Sequence, residues 1–248
     1  MRIVSERAAT SRGLEIAERI AALDWQTIEE ALDARGFATT GRLLGARECA
    51  ALAASYGEPE GFRSRVIMDR HGYGRGEYRY FAYPLPTLVA ELRRTLYARL
   101  APVANRWMGL LARTTRYPAG HAAYLERCHA QGQTKPTPLL LRYGAGDYNC
   151  LHQDLYGEEV FPLQATFLLA DPARDFAGGE LVLTTSRPRR QSRVDVVPLA
   201  YGEGVIFAVR DRPEPGPRGP RRVAVRHGVS MLHSGSRHTL GVIFHDAA

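Results

Sequence analysis

The 248-residue sequence predicts an α+β fold in which N-terminal helices support a mainly-β core of the sandwich or barrel kind. Three observations predict it. Up to Lys135 the apolar residues recur mainly at helical spacing, with Leu88, Leu92, Leu96 and Leu100 on one stripe. Beyond Lys135 the texture changes to short β-rich runs separated by Gly, Pro and Asp. No self-similarity at a fixed period runs through the chain, so a repeat architecture is not expected. A single domain over 1–248 is the economical reading, with 1–136 as helical support and 137–248 as the β core.

Each element follows from local signals. "DWQTIEEALDARG" has an acid at its start, Ile28 and Leu32 four apart, and Gly36 as a stop, which predicts a helix. "FATTGRLL" reads as a short strand and "ARECAALAASYG" as a helix closed by Gly57. "TLVAELRRTLYARLAPVANRWMGLL" reads as a helical core face interrupted near Pro102. The stretch 61–86, "GFRSRVIMDRHGYGRGEYRYFAYPLP", interleaves Arg63, Arg65, Arg70, Arg75 and Arg79 with Tyr73, Tyr78, Tyr80, Phe81 and Tyr83. Aromatics among arginines can stack bases and hold phosphates, which makes Arg65, Arg70, Tyr78 and Tyr80 candidate substrate contacts. The alternation in "EYRYFAY" equally fits an ordinary strand with one face in the core. After Lys135, "TPLLLRY", "LQATFLLA", "ELVLTT", "RVDVVPL", "GVIFAVR", "RVAVRHGV" and "HTLGVIF" read as strands. "DRPEPGPRGPRR" (211–222) has four prolines, two glycines and no apolar residue, so it is predicted as an exposed loop.

Composition narrows the class. Cys49, Cys128 and Cys150 share no C-x-x-C spacing and leave an odd count, which argues against a disulfide framework and for a reducing cytoplasm. No apolar run approaches the roughly 18 residues of a membrane helix, and the start has no signal-peptide pattern, so a cytoplasmic protein without a membrane partner is expected. The net charge is +7, yet Lys135 is the only lysine among 33 basic residues, a bias that reflects codon usage more than a binding surface. Residues 186–226 hold ten arginines against four acids (Asp195, Glu203, Asp211 and Glu214), one basic region whose bland reading is a solvated face.

The strongest chemical signal is "LHQDLYG". His152 and Asp154 are two apart at the end of a strand or just after it, so both point to one face and offer two cis ligands to a divalent metal. A third ligand would complete a two-His, one-carboxylate triad with three open positions, which suits ferrous iron. Four of the eight histidines, His227, His233, His238 and His245, crowd the last two strands and are the candidates.

These motifs resemble the Fe(II)/2-oxoglutarate-dependent dioxygenases, in particular prolyl 4-hydroxylase-like and AlkB-like members. The resemblance covers roughly residues 137–245: "RYGAGDYNCLHQD" is similar to their Tyr-x-x-Gly run, "FAGGELVLT" to their GG-E-L strand, and "HGVSMLHSGSRHTLGVIF" to their closing pattern. It implies a double-stranded β-helix (jelly-roll) catalytic core, with 1–136 also covering the substrate. In that closing pattern the second iron histidine precedes an arginine by about ten residues, the spacing of His227 and Arg237. The resemblance therefore implies Fe(II) on His152, Asp154 and His227, with His233 as runner-up, His238 on the opposite face and His245 at the frayed end of the last strand. Arg237 would grip the distal carboxylate of 2-oxoglutarate through two parallel bonds, with Thr239 and Tyr143 as hydroxyl partners. AlkB-like enzymes carry a second arginine six residues after the first; position 243 here is Ile, so their substrate does not transfer directly.

The implied activity is hydroxylation of a substrate with O2 and 2-oxoglutarate, releasing succinate and CO2. The whole chain resembles a group of bacterial oxygenases proposed to act on damaged DNA, which implies oxidative dealkylation of single-stranded or damaged nucleic acid. A hydroxylase of a peptide, amino acid or small metabolite is the alternative; a non-enzymatic jelly-roll protein that binds metal structurally or senses 2-oxoglutarate is the third reading, and a purely structural site would need neither open positions nor Arg237. No obligate protein partner is evident. The arginines of 186–226, among them Arg218, Arg221 and Arg222, lead into His227 and are expected near the mouth of the site.

Overall fold

The computed structural model describes residues 15–187, 189–217 and 219–248; Arg218 lies outside them. Helices α1 (Ile16–Ala21) and α2 (Trp25–Arg35) come first, and Asp24 caps α2 by accepting from the Thr27 amide at 3.1 Å. Gly36 stops α2 at φ +83°, a conformation that other residues adopt only with strain. Next come β1 (Phe37–Arg42) and α3 (Ala46–Ser55). The Arg- and Tyr-rich stretch forms β2 (Phe62–Ile67), a 3-10 turn (Met68–His71), β3 (Gly74–Arg75) and β4 (Glu77–Phe81). Helix α4 (Thr87–Leu110) is continuous, contrary to the expected break at Pro102. Pro102 and Ala98, whose carbonyl would lose its partner, are both exposed, so water can serve that carbonyl. Burial of Leu92, Leu96, Leu100, Val103 and Trp107 on the other face holds the helix through. Helix α5 (His121–Ala130) completes the helical layer.

The remaining strands are β5 (Leu139–Gly144), β6 (Tyr148–His152), β7 (Leu163–Leu168), β8 (Phe176–Gly178), β9 (Leu181–Ser186), β10 (Arg193–Val197), β11 (Glu203–Ala208), β12 (Asp211–Glu214), β13 (Arg221–Val229) and β14 (Leu232–Ile243). One sheet runs β1-β11-β7-β14-β5-β4-β2 with β8 beside β14; the other runs β10-β9-β13-β6-β3 with β12 beside β13. Every pairing between these strands is antiparallel. Two facing antiparallel sheets with helices on one side are the α+β, mainly-β jelly-roll architecture. The first 136 residues are not helical support alone: β1 forms one edge of the large sheet and β4 and β2 the other.

Strand alternation sorts the large sheet into two faces. Leu240 and Val242 on β14, and Phe244 just past its end, point to the helices, where Phe244 meets Tyr97 of α4 and His121 of α5. Arg237, Thr239, Gly241 and Ile243 point the other way, into a cavity between the sheets. His238 lies on the helix side against Tyr56, as its parity requires. His245 is not frayed. It is fully buried, because the chain beyond it pairs with Lys135 and Asp246 forms a buried ion pair with Arg93 at 2.7 Å. The predicted loop 211–222 also begins as structure: β12 pairs with β13, and Arg212 is fully buried against Gly36, donating to the Asp33 carbonyl at 3.3 Å.

Two buried histidines make the fold acid-sensitive. His121 Nε2–H donates to the Phe244 carbonyl at 2.8 Å, and His245 Nδ1 accepts from the Phe161 amide at 3.3 Å. Burial first, and the Arg93 charge second, lower His121 to about 3 and His245 to about 4. The unfolded chain takes up these protons near pH ~6.5, the folded chain only below those values, so stability falls as pH drops through that window. At pH 5 each histidine should cost on the order of 2 kcal/mol. The melting midpoint should therefore drop between pH 7 and pH 5, and His121→Gln should lose less over the same interval. An equal loss would put the proton uptake elsewhere.

Candidate metal centre

Strands β6 and β13 bring His152 and His227 directly opposite one another in register, with ring centroids 4.2 Å apart. The register shifts between His227 and Val229, and Gly228 makes this possible: a Cβ there would stand 2.6 Å from the Asn149 carbonyl oxygen. Asp154, just past the end of β6, closes the set. Its Oδ1 lies 3.4 Å from His152 Nε2 and its Oδ2 lies 3.3 Å from His227 Nε2. One ligand atom from each residue falls within 4.8 Å of the others, which fits a single ion.

The surroundings prepare these atoms. His152 Nδ1–H donates to the Cys150 carbonyl at 2.8 Å; a carbonyl can only accept, so in the neutral ring the lone pair is on Nε2. Both Asp154 oxygens are held, Oδ1 by the Tyr156 hydroxyl at 2.6 Å and Oδ2 by the Gln164 amide at 2.8 Å. Burial alone would raise the Asp154 carboxyl, but hydrogen bonds and charges from the two histidines hold it well below the usual carboxylate range. Burial and the neighbouring His152 lower His227. Phe207 packs against the His227 ring, centroids 4.8 Å apart and planes tilted by 59°.

The triad lines a cavity of about 450 Å³ between the sheets. Arg237 lies opposite Tyr143 in the β14–β5 register, its guanidinium carbon 5.7 Å from that ring. Only 2% of Arg237 is exposed, yet its Nε and Nη1 have no hydrogen-bond partner. A buried cation with free donors is costly unless an anion completes it. Thr239, also buried, is on the same face. Burial, partly offset by the Arg237 charge, pushes Tyr143 up to about 12, so its hydroxyl stays protonated and can donate.

The proposed substrate contacts separate. Tyr78 lines the cavity. Tyr80 is on the same face of β4 but buried behind it, its hydroxyl donating to Tyr156 at 3.0 Å. Arg65 is on the opposite face of the sheet, where Glu77 pairs with both Arg65 and Arg142. Strand alternation forces this: with Tyr78 and Tyr80 inward, Glu77, Arg79 and Arg65, the cross-strand partner of Arg79, face outward. Arg70 is exposed on the 3-10 turn and does not line the cavity. Nor does any described arginine of 186–226. Arg221 and Arg222 sit five or six residues from His227 along β13, roughly 16–20 Å at strand rise, and pair with Glu214 and Asp211. His233 is exposed on β14. Tyr156 and Gln164 were missed, although a lone glutamine in the apolar run "LQATFLLA" was a usable signal.

A family model described as "Oxygenase, catalysing oxidative methylation of damaged DNA" matches residues 76–247. Over 168 residues the chain is 47% identical to an uncharacterized protein of Mycobacterium tuberculosis, covering 68% of this chain and 72% of that one. Among solved structures, a Pseudomonas putida prolyl-4-hydroxylase aligns with TM-score 0.52 and 15% identity over 88% of this chain and 96% of that one. A 2OG-Fe(II) oxygenase-family oxidoreductase from Burkholderia pseudomallei aligns with TM-score 0.53 and 16% identity over 90% and 93% of the two chains. At such identities the likeness is one of fold. No helix of the described residues is long and apolar enough to cross a membrane.

Proposed function

Because this chain belongs to the oxygenase family described as acting on damaged DNA, we propose that it is an Fe(II)- and 2-oxoglutarate-dependent dioxygenase that oxidises an alkylated nucleic-acid base. The observation that carries the cosubstrate is Arg237: a buried guanidinium with unpartnered donors, sharing one cavity with His152, Asp154 and His227. A dicarboxylate with one end at the metal and the other on that guanidinium satisfies both. His152, Asp154 and His227 would hold Fe(II), while Tyr156 and Gln164 keep the Asp154 carboxylate oriented toward it. Bound iron would supply the oxidising chemistry with O2, as 2-oxoglutarate is converted to succinate and CO2. The chain's own residues do the rest. Arg237, Thr239 and Tyr143 position the cosubstrate, and Phe207, Leu141, Leu181 and Val229 keep the surroundings dry.

The test is incubation of the Fe(II)-loaded protein with 2-oxoglutarate, O2 and pooled candidates: alkylated single-stranded oligonucleotides, peptides and free amino acids. Succinate release and the intact mass of each candidate are the readouts. Succinate formed together with loss of an alkyl group from an oligonucleotide is expected. Addition of one oxygen to a peptide or amino acid, with oligonucleotides untouched, would replace the nucleic-acid reading by the hydroxylase alternative.

A further inference from the structure

A second cavity of about 400 Å³ borders the first. Leu155, the residue after the metal ligand Asp154, lines both. Arg113, Arg210 and Asp211 line the second cavity, and Arg222 reaches the same carboxylate from β13. Asp211 is nearly buried and faces three guanidiniums: Arg113 hydrogen-bonds it at 2.8 Å, Arg222 stands at 3.6 Å and Arg210 at 3.9 Å. One negative charge cannot balance three positive ones. Arg210 and Arg222 make no hydrogen bond to it and are more than half exposed, at 54% and 62%. Two further carboxylates share the cavity lining with Asp211, but Glu159 is tied to Arg127 at 2.5 Å, leaving Glu158. The cluster thus keeps cationic donors free at a cavity that shares Leu155 with the first, the condition for binding an anion.

The other rim of the first cavity carries an aromatic. Tyr73 lines it while remaining 50% exposed, stacked on His71 with centroids 5.3 Å apart and planes at 22°. The stack is built against the metal-bearing strand. Cys150 N–H donates to the Tyr73 carbonyl at 2.9 Å, and Gly74 lies so close that a Cβ would stand 2.4 Å from the Tyr148 oxygen. A pre-positioned planar surface toward one end of β13 and free guanidiniums toward the other match a base and a phosphate a few nucleotides along the same strand; an acidic peptide would use only the second.

We propose that a single-stranded nucleic acid crosses the mouth of the first cavity, one base stacked on Tyr73 and a phosphate a few nucleotides along the strand held by Arg210, which lines the second cavity, and Arg222, which reaches Asp211 from β13. This rests on the reading of the chain as a nucleic-acid oxygenase. The test is fluorescence anisotropy of a labelled single-stranded DNA oligonucleotide with the full chain across a salt series. Arg210→Gln with Arg222→Gln leaves the Arg113–Asp211 pair intact and should flatten the log–log salt slope by about 0.7 for each phosphate released. Tyr73→Ala should weaken binding roughly 5- to 150-fold with the slope unchanged, while Tyr73→Phe keeps the stack and stays near wild type. A thermal midpoint equal to wild type shows that each variant folds. If wild type binds but the double variant keeps its slope, or Tyr73→Ala keeps its affinity, the proposed path is wrong and the nucleic-acid reading stands. If wild type binds no oligonucleotide but does bind a poly-glutamate peptide, both fall together.

Discussion

Replacing His227 by alanine should leave the protein unable to retain Fe(II), while His233→Ala should retain it nearly as well as wild type. His227 lies directly across from His152, with Nε2 3.3 Å from Asp154, and is almost fully buried. His233 is exposed on the next strand. Loss of one ligand of three should exceed the roughly 10- to 100-fold that removal of a supporting hydrogen bond costs in metal affinity. Metal content after anaerobic loading and desalting measures it. Loss that follows His233 instead would move the third ligand to β14.

The second large effect is on the cosubstrate. Arg237→Ala should weaken 2-oxoglutarate binding by roughly 30- to 150-fold, the loss of a charge-assisted bidentate contact worth about 2–3 kcal/mol. Iron content should not change, because Arg237 is not among the three ligands. Arg237→Lys should recover only part, since an ammonium keeps the charge but not the planar fork. An unchanged 2-oxoglutarate affinity in Arg237→Ala would mean that the carboxylate binds elsewhere.

Legibility in the sequence followed how local each signal was. His152 and Asp154 were legible because period-two geometry fixes them on one face within three residues. His227 and Arg237 sit on consecutive strands, one in each sheet, whose spacing is read along the chain, and both line the cavity. Arg65 was misplaced because composition ignores which face of a strand a side chain takes; Tyr78 and Tyr80 facing inward turn Arg65 outward. The Pro102 break failed because a local rule met a helix whose opposite face is wholly buried. The arginine cluster around Asp211 had no local signature. Arg113 follows α4, Arg210 follows β11 and Arg222 lies on β13, so only the folded chain brings them together.

Anaerobic calorimetry of 2-oxoglutarate into the protein, with and without one equivalent of Fe(II), tests most directly whether the triad and Arg237 form one site. One 2-oxoglutarate per chain, bound tightly only when iron is present and weakened by Arg237→Ala, is the expected result. Binding that ignores the metal, or no binding to the iron-loaded protein, would contradict it.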